Sequence, residues 1–159
     1  MYMLGQGVPQ DQQKGIELFR LSAAQGNSDS QWFLGAEYLI GKRVPQDHKE
    51  AVKWFQLSAA QGNVDGQYNL GMMYDDGKGV SKDNIAAAKW YNLAAAQGHK
   101  DAQYYLGMMY HKGQGVPKDT QLALKWLRRA ANQGYAHAQL QLGASYYEGK
   151  SVPQDYVLA

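Results

Sequence analysis

The sequence predicts an all-α solenoid built from 36-residue helix-turn-helix repeats. Three observations carry that expectation. The first is a recurring block, Leu34-Gly35-Ala36-Glu37-Tyr38, which returns as Leu70-Gly71-Met72-Met73-Tyr74, Leu106-Gly107-Met108-Met109-Tyr110 and Leu142-Gly143-Ala144-Ser145-Tyr146. The second is a pair of alternating junctions. Gln-Gly marks one, at 25–26, 61–62, 97–98 and 133–134, and the other carries Gly, Val and Asp three residues apart, as in Gly41, Val44 and Asp47 or Gly77, Val80 and Asp83. The third is a helical spacing of apolar residues in both segments between the junctions. Repeats of this length pack on their neighbours and share a continuous strip of core, so no globular centre is expected.

The segment after each junction aspartate reads as one helix of the pair, helix B. In the second copy Ala51, Trp54, Phe55, Ser58 and Ala59 fall at i, i+3, i+4, i+7 and i+8, one face of a helix. Ala87, Trp90, Tyr91, Ala94 and Ala95 repeat that face, as do Ala123, Trp126, Leu127, Ala130 and Ala131; the first copy has Gly15 and Leu18 in place of Ala and Trp. Asp11, Asp47, Asp83 and Asp119 are placed to cap the first turn by accepting from its unpaired amides. Gly26, Gly62, Gly98 and Gly134 are placed to end helix B in the left-handed conformation.

The segment between Gln-Gly and the next glycine junction reads as helix A. Ser30, Leu34 and Tyr38, then Gly66, Leu70 and Tyr74, then Ala102, Leu106 and Tyr110 give it an inward face. The small residue at 30, 66, 102 and 138 and the glycine at 35, 71, 107 and 143 are expected to allow close approach of a neighbouring helix. A glycine inside a helix costs ~1 kcal/mol relative to alanine, so its return in every copy calls for a packing reason.

The pattern Leu-Gly-x-x-Tyr, Gly-x-Gly-Val, Asp, Ala-x-x-Trp, Ala-Ala, Gly resembles the Sel-one-like repeat, a relative of the tetratricopeptide repeat, over essentially the whole chain. Departures are Arg43 and Ser151 in place of the second loop glycine, Leu18 in place of Trp, and Asn132 in place of the second Ala. The resemblance implies a right-handed α-α superhelix of antiparallel helix pairs, with helix A lining the concave side and a role as a protein-binding scaffold. A cysteine-rich branch of that family has been proposed to interact with beta-lactams, but this chain has no cysteine and the carry-over fails.

The expected organisation is a single repeat domain over 1–159, with a partial repeat at 1–26, repeats at 27–62, 63–98 and 99–134, and a partial repeat at 135–159. Because the terminal units are incomplete, either a longer array or head-to-tail stacking between molecules is expected.

Composition and motifs exclude several function classes. Sixteen basic residues against 14 acidic ones, spread along the chain, do not favour nucleic acid. The absence of cysteine removes disulfides, thiolate metal sites and cysteine nucleophiles. No apolar run approaches the ~20 residues of a membrane span. Met1 to Gly5 lack a signal-peptide pattern, which suits a cytoplasmic chain and a mature periplasmic one equally. The loops Gly77-Lys78-Gly79-Val80 and Gly113-Gln114-Gly115-Val116 lack the context of a phosphate-binding loop and recur at successive junctions, so they read as turns. His48, His99, His111 and His137 show no ligand spacing, and although Asp75 and His111 are equivalent positions one repeat apart, neither a metal nor a cofactor is predicted. No catalytic motif occurs, and the adjacent Asp75 and Asp76 read as a solvated helix end.

The variable positions of helix A carry the functional expectation. With Leu34 and Tyr38 inward, positions 29, 32, 33, 36 and 40 face away, and their equivalents are rich in aromatic and methionine side chains. The candidate partner-binding residues are Trp32, Phe33, Tyr68, Asn69, Met72, Tyr104, Tyr105 and Met108. Two readings stand. One is a concave groove whose anchors receive a peptide or protein partner; the other is packing between neighbouring A helices, in a spacer segment of a longer repeat protein.

Overall fold

The structure, a computed structural model, describes residues 11–147. Eight α-helices follow one another: α1 (Gln12–Ala24), α2 (Ser28–Ile40), α3 (His48–Ala60), α4 (Val64–Asp76), α5 (Asn84–Ala96), α6 (Lys100–Lys112), α7 (Thr120–Asn132) and α8 (Ala136–Tyr147). Odd-numbered helices are the B helices of the sequence pattern and even-numbered ones the A helices. There is no strand among the described residues. The chain divides into two compact units at the Lys82/Asp83 boundary. In the first unit α2 packs on both α1 and α3, and α3 on α4; in the second, α6 packs on both α5 and α7, and α7 on α8.

Local chemistry sets the helix bounds. Asp47 accepts from the amides of Lys49 and Glu50, Asp83 from Ile85 and Ala86, and Asp119 from Leu122, so the junction aspartates are the B-helix caps. The A helices have caps of their own that the pattern did not reveal. Asn27, Asn63 and His99 accept from the amides of Ser30, Gly66 and Ala102, each three residues on.

The buried face of helix B is rotated from the one expected. Ala51, Val52, Phe55, Ser58 and Ala59 are buried in α3, and Ala123, Leu124, Leu127 and Ala130 in α7. Trp54, Trp90 and Trp126 are only partly buried. A spacing argument weights the largest apolar side chain most, but an indole at the edge of a buried stripe covers core while keeping one edge wet. On helix A, Leu34, Leu70 and Leu106 are buried as expected, whereas Tyr38, Tyr74 and Tyr110 are partly exposed. Met73 and Met109, whose role the pattern left open, lie in the core with them.

The glycine inside helix A has a packing reason in two places. A Cβ added to Gly35 would stand 2.6 Å from the ring of Phe55, and one on Gly107 would stand 3.0 Å from Leu127 Cγ. At Gly143 nothing lies within 4 Å. The same substitution is therefore expected to change sign along the chain. Gly35→Ala destabilises by about 1–2 kcal/mol as the Phe55 ring is displaced, Gly107→Ala by less, and Gly143→Ala stabilises by up to ~1 kcal/mol through helix propensity alone. Urea unfolding of the three variants checks the order.

Glutamine forms a ladder that the sequence pattern did not disclose. Gln31, Gln67 and Gln103 are buried, and their side-chain amides donate to the carbonyls of Ala23, Ala59 and Ala95 at the end of the preceding B helix. Gln61 then donates to Gln31 Oε1 at 2.7 Å, and Gln133 to Gln103 Oε1 at 2.9 Å. Each buried glutamine thus gives a second donor to a carbonyl that already accepts a backbone amide at the helix end, and Gln31 and Gln103 also accept from the next repeat, tying it to their own.

One repeat departs from the two that follow it. Glu37 takes the place of the core methionines Met73 and Met109, and Arg43 that of the loop glycines Gly79 and Gly115. Gly115, at φ 69°, lies so close to Asn84 that an added Cβ would meet the Asn84 carbonyl oxygen at 2.0 Å. Arg43 has no positive φ, so the first loop takes another path and turns the guanidinium onto Glu37, with which it forms an ion pair. The two departures are one change.

Candidate functional site

The expected binding residues fall in both units. In the first, Trp32 on α2 is partly buried and its indole N–H donates to Asn69 Oδ1 on α4 at 2.7 Å. An indole N–H is a donor only, so it fixes the Asn69 amide with its oxygen toward Trp32 and its NH2 turned away. Phe33 stacks on Phe19 of α1 with ring centroids 3.9 Å apart. Tyr68 and Met72 are partly buried on α4. Trp32 and Asn69 are therefore brought together, while Phe33 belongs equally to the contact between α1 and α2.

In the second unit the aromatic residues form a connected cluster. Tyr104 stands 5.4 Å from Tyr105, 5.2 Å from Tyr135 and 6.1 Å from His137, and Tyr135 stands 5.6 Å from His137, all between ring centroids. Tyr104 and Met108 also pack against the buried Leu124, Leu127, Ala130, Ala138 and Leu142, so both are part core and part surface. Tyr105 is the more exposed, lying over the buried ring of Tyr91 at 5.5 Å. Tyr135 and His137 were not among the expected residues; they come from the turn into α8 and its first turn, one repeat beyond Tyr104.

Asp101 gives the cluster its charge. Asp101 lies beside the Tyr135 hydroxyl, and burial, reinforced by that carboxylate, pushes the phenol up to about 12. His99 Nδ1 stands 3.9 Å from Asp101, but it accepts the Ala102 amide proton at 3.2 Å and so does not offer Asp101 a proton. In the first unit the equivalent Asp29 accepts from Asn63 Nδ2 at 2.7 Å. The aspartate in the first turn of helix A thus favours the helix dipole and hitches to the cap of the next A helix. Charge is partitioned between the helix types. The four B helices carry eight lysines and arginines against two glutamates, whereas the four A helices carry six carboxylates against two lysines, five of the carboxylates on α2 and α4 of the first unit and only Asp101 in the second.

Among the described residues no group of three metal-ligating side chains occurs, and no helix is long and apolar enough to cross a membrane. The geometry is that of a helical-repeat scaffold, with partly buried aromatic residues on the A helices. The chain belongs to the Sel1 repeat family, whose model matches residues 1–27, 28–63, 64–99, 100–135 and 136–159. Repeats of this family typically mediate protein–protein interaction on a non-enzymatic scaffold. No curated relative matches the chain.

Solved bacterial structures share the architecture. The chain superposes with a TM-score of 0.91 and 38% identity on c5321, a protective antigen present in uropathogenic Escherichia coli strains that displays an SLR fold, covering 95% of this chain and 32% of that one. It therefore spans about a third of that antigen's length. A Sel1 repeat protein from Oxalobacter formigenes matches with a TM-score of 0.76 and 37% identity over 82% of this chain and 98% of that one. Cysteine rich protein B of Helicobacter pylori matches with a TM-score of 0.63 and 22% identity over 84% and 96%, a likeness of fold.

Proposed function

We propose that the chain is a protein-interaction scaffold that holds an extended peptide or protein segment on its A-helix face. The observation that carries this reading is made within each unit by itself, a half-covered side chain on an A helix: in the first Asn69, whose amide is set by Trp32, and in the second Tyr105, exposed over Tyr91. A partly exposed aromatic anchor and a fixed amide donor suit the side chains and backbone of a bound segment.

The test is a random peptide library displayed on phage and selected on the whole chain. Binding of the selected peptides should fall at least ~10-fold for Asn69→Ala or Tyr105→Ala and stay unchanged for Leu57→Lys, an exposed position on α3. The opposite pattern would move the site to the B helices. No selectable peptide would favour the spacer reading.

A second reading is favoured by α8, where Leu140 is 73% exposed and the Gly143 position is open. It is head-to-tail stacking of copies through that helix. Light scattering over a concentration series tests it: mass should rise with concentration, and a strict monomer excludes it.

A further inference from the structure

We infer that the segment held by the second unit is basic, and that Asp101 with the rings of Tyr104, Tyr105, Tyr135 and His137 takes a lysine or arginine side chain. The inference rests on the reading of the A-helix face as the docking surface. The rings of Tyr104, Tyr135 and His137 lie within 5.2–6.1 Å of one another, with Tyr105 5.4 Å from Tyr104; they present π faces, and a cation is the charged group such faces attract. The carboxylate beside them selects the same sign. No lysine or arginine pairs with Asp101 among the described residues, and a carboxylate with the Tyr135 hydroxyl beside it still has acceptor positions to offer.

The other candidates for the occupant fit less well. An acidic side chain would meet Asp101 directly, and a purely apolar one would cover the carboxylate without offering it a partner, which costs free energy. Tyr135 holds a neutral phenol at neutral pH, so beside Asp101 it stands as a donor and adds no second negative charge. The preference is local to this pocket, because α6 and α8 carry Asp101 against Lys100 and Lys112, and the other A-helix carboxylates lie on α2 and α4 in the first unit. In the first unit Asp29 stands three residues before Trp32, as Asp101 does before Tyr104, with Asn63 in the role of Tyr135.

The experiment is a titration of the 15N-labelled full chain with three probes, the N-acetyl methylamides of arginine, norleucine and glutamate, read by amide NMR shifts. The arginine probe should shift the amides of Asp101, Tyr104, Tyr105 and His137, and its apparent affinity should fall about tenfold in Asp101→Asn. That variant keeps an acceptor for the Tyr135 hydroxyl while removing the charge. Equal or larger shifts with norleucine, or an unchanged titration of Asp101→Asn, would overturn the basic side chain and leave the A-helix face as a docking surface. No response to any probe at these amides would overturn the pocket itself.

Discussion

Replacing Tyr104 and Met108 together by alanine should destabilise the second unit by about 3–5 kcal/mol. Both side chains cover the cluster of Leu124, Leu127, Ala130, Ala138 and Leu142, and Tyr104 contacts the rings of Tyr105, Tyr135 and His137 as well. The figure is below the sum for two fully buried residues because each is partly exposed and the two share neighbours. Any loss of binding in this variant would be mixed with loss of structure. Tyr105→Ala, at a more exposed ring, is expected to separate the two effects. Hydrogen exchange of the α6–α8 amides, compared with those of α2–α3, checks that the destabilisation stays in the second unit.

Arg43→Met should destabilise the first unit by about 2–4 kcal/mol, whereas Glu37→Met combined with Arg43→Gly should be neutral or stabilising by ~1 kcal/mol or more. Glu37 is buried and its ion pair with Arg43 is its charge partner, so removing Arg43 strands a carboxylate in the core. The pair is itself only half satisfied, since Glu37 Oε2 and Arg43 Nε have no hydrogen-bond partner. The double substitution installs the Met and Gly that the second and third copies already carry at 73, 79, 109 and 115, in backbone settings that accept them. A urea series on the unsubstituted chain, Glu37→Met, Arg43→Gly and the double substitution gives the coupling; additive losses would show that the two positions act independently.

The repeat frame was legible because it is written in local terms. Aspartate caps, glycine stops and the spacing of Leu34, Phe55 and Leu127 each act within one helix or turn, where a periodic pattern reports them directly. The glutamine ladder was not legible, because Gln31 reads as a polar surface residue until its carbonyl partner on the preceding helix is known. Trp54 misled for the opposite reason, since its size suggested a core that Val52 occupies. At the candidate site, Tyr104 and Tyr105 were visible as aromatics out of register with the core. Tyr135, His137 and Asp101 became neighbours only through contacts between successive repeats. The Trp32–Asn69 bond likewise joins residues 37 positions apart.

That the A helices rather than the B helices hold a partner is tested most directly by hydrogen exchange of the whole chain with and without a saturating library-selected peptide. Protection should appear on amides of α2, α4 and α6 and leave α3, α5 and α7 unchanged. Protection confined to the odd-numbered helices would contradict it.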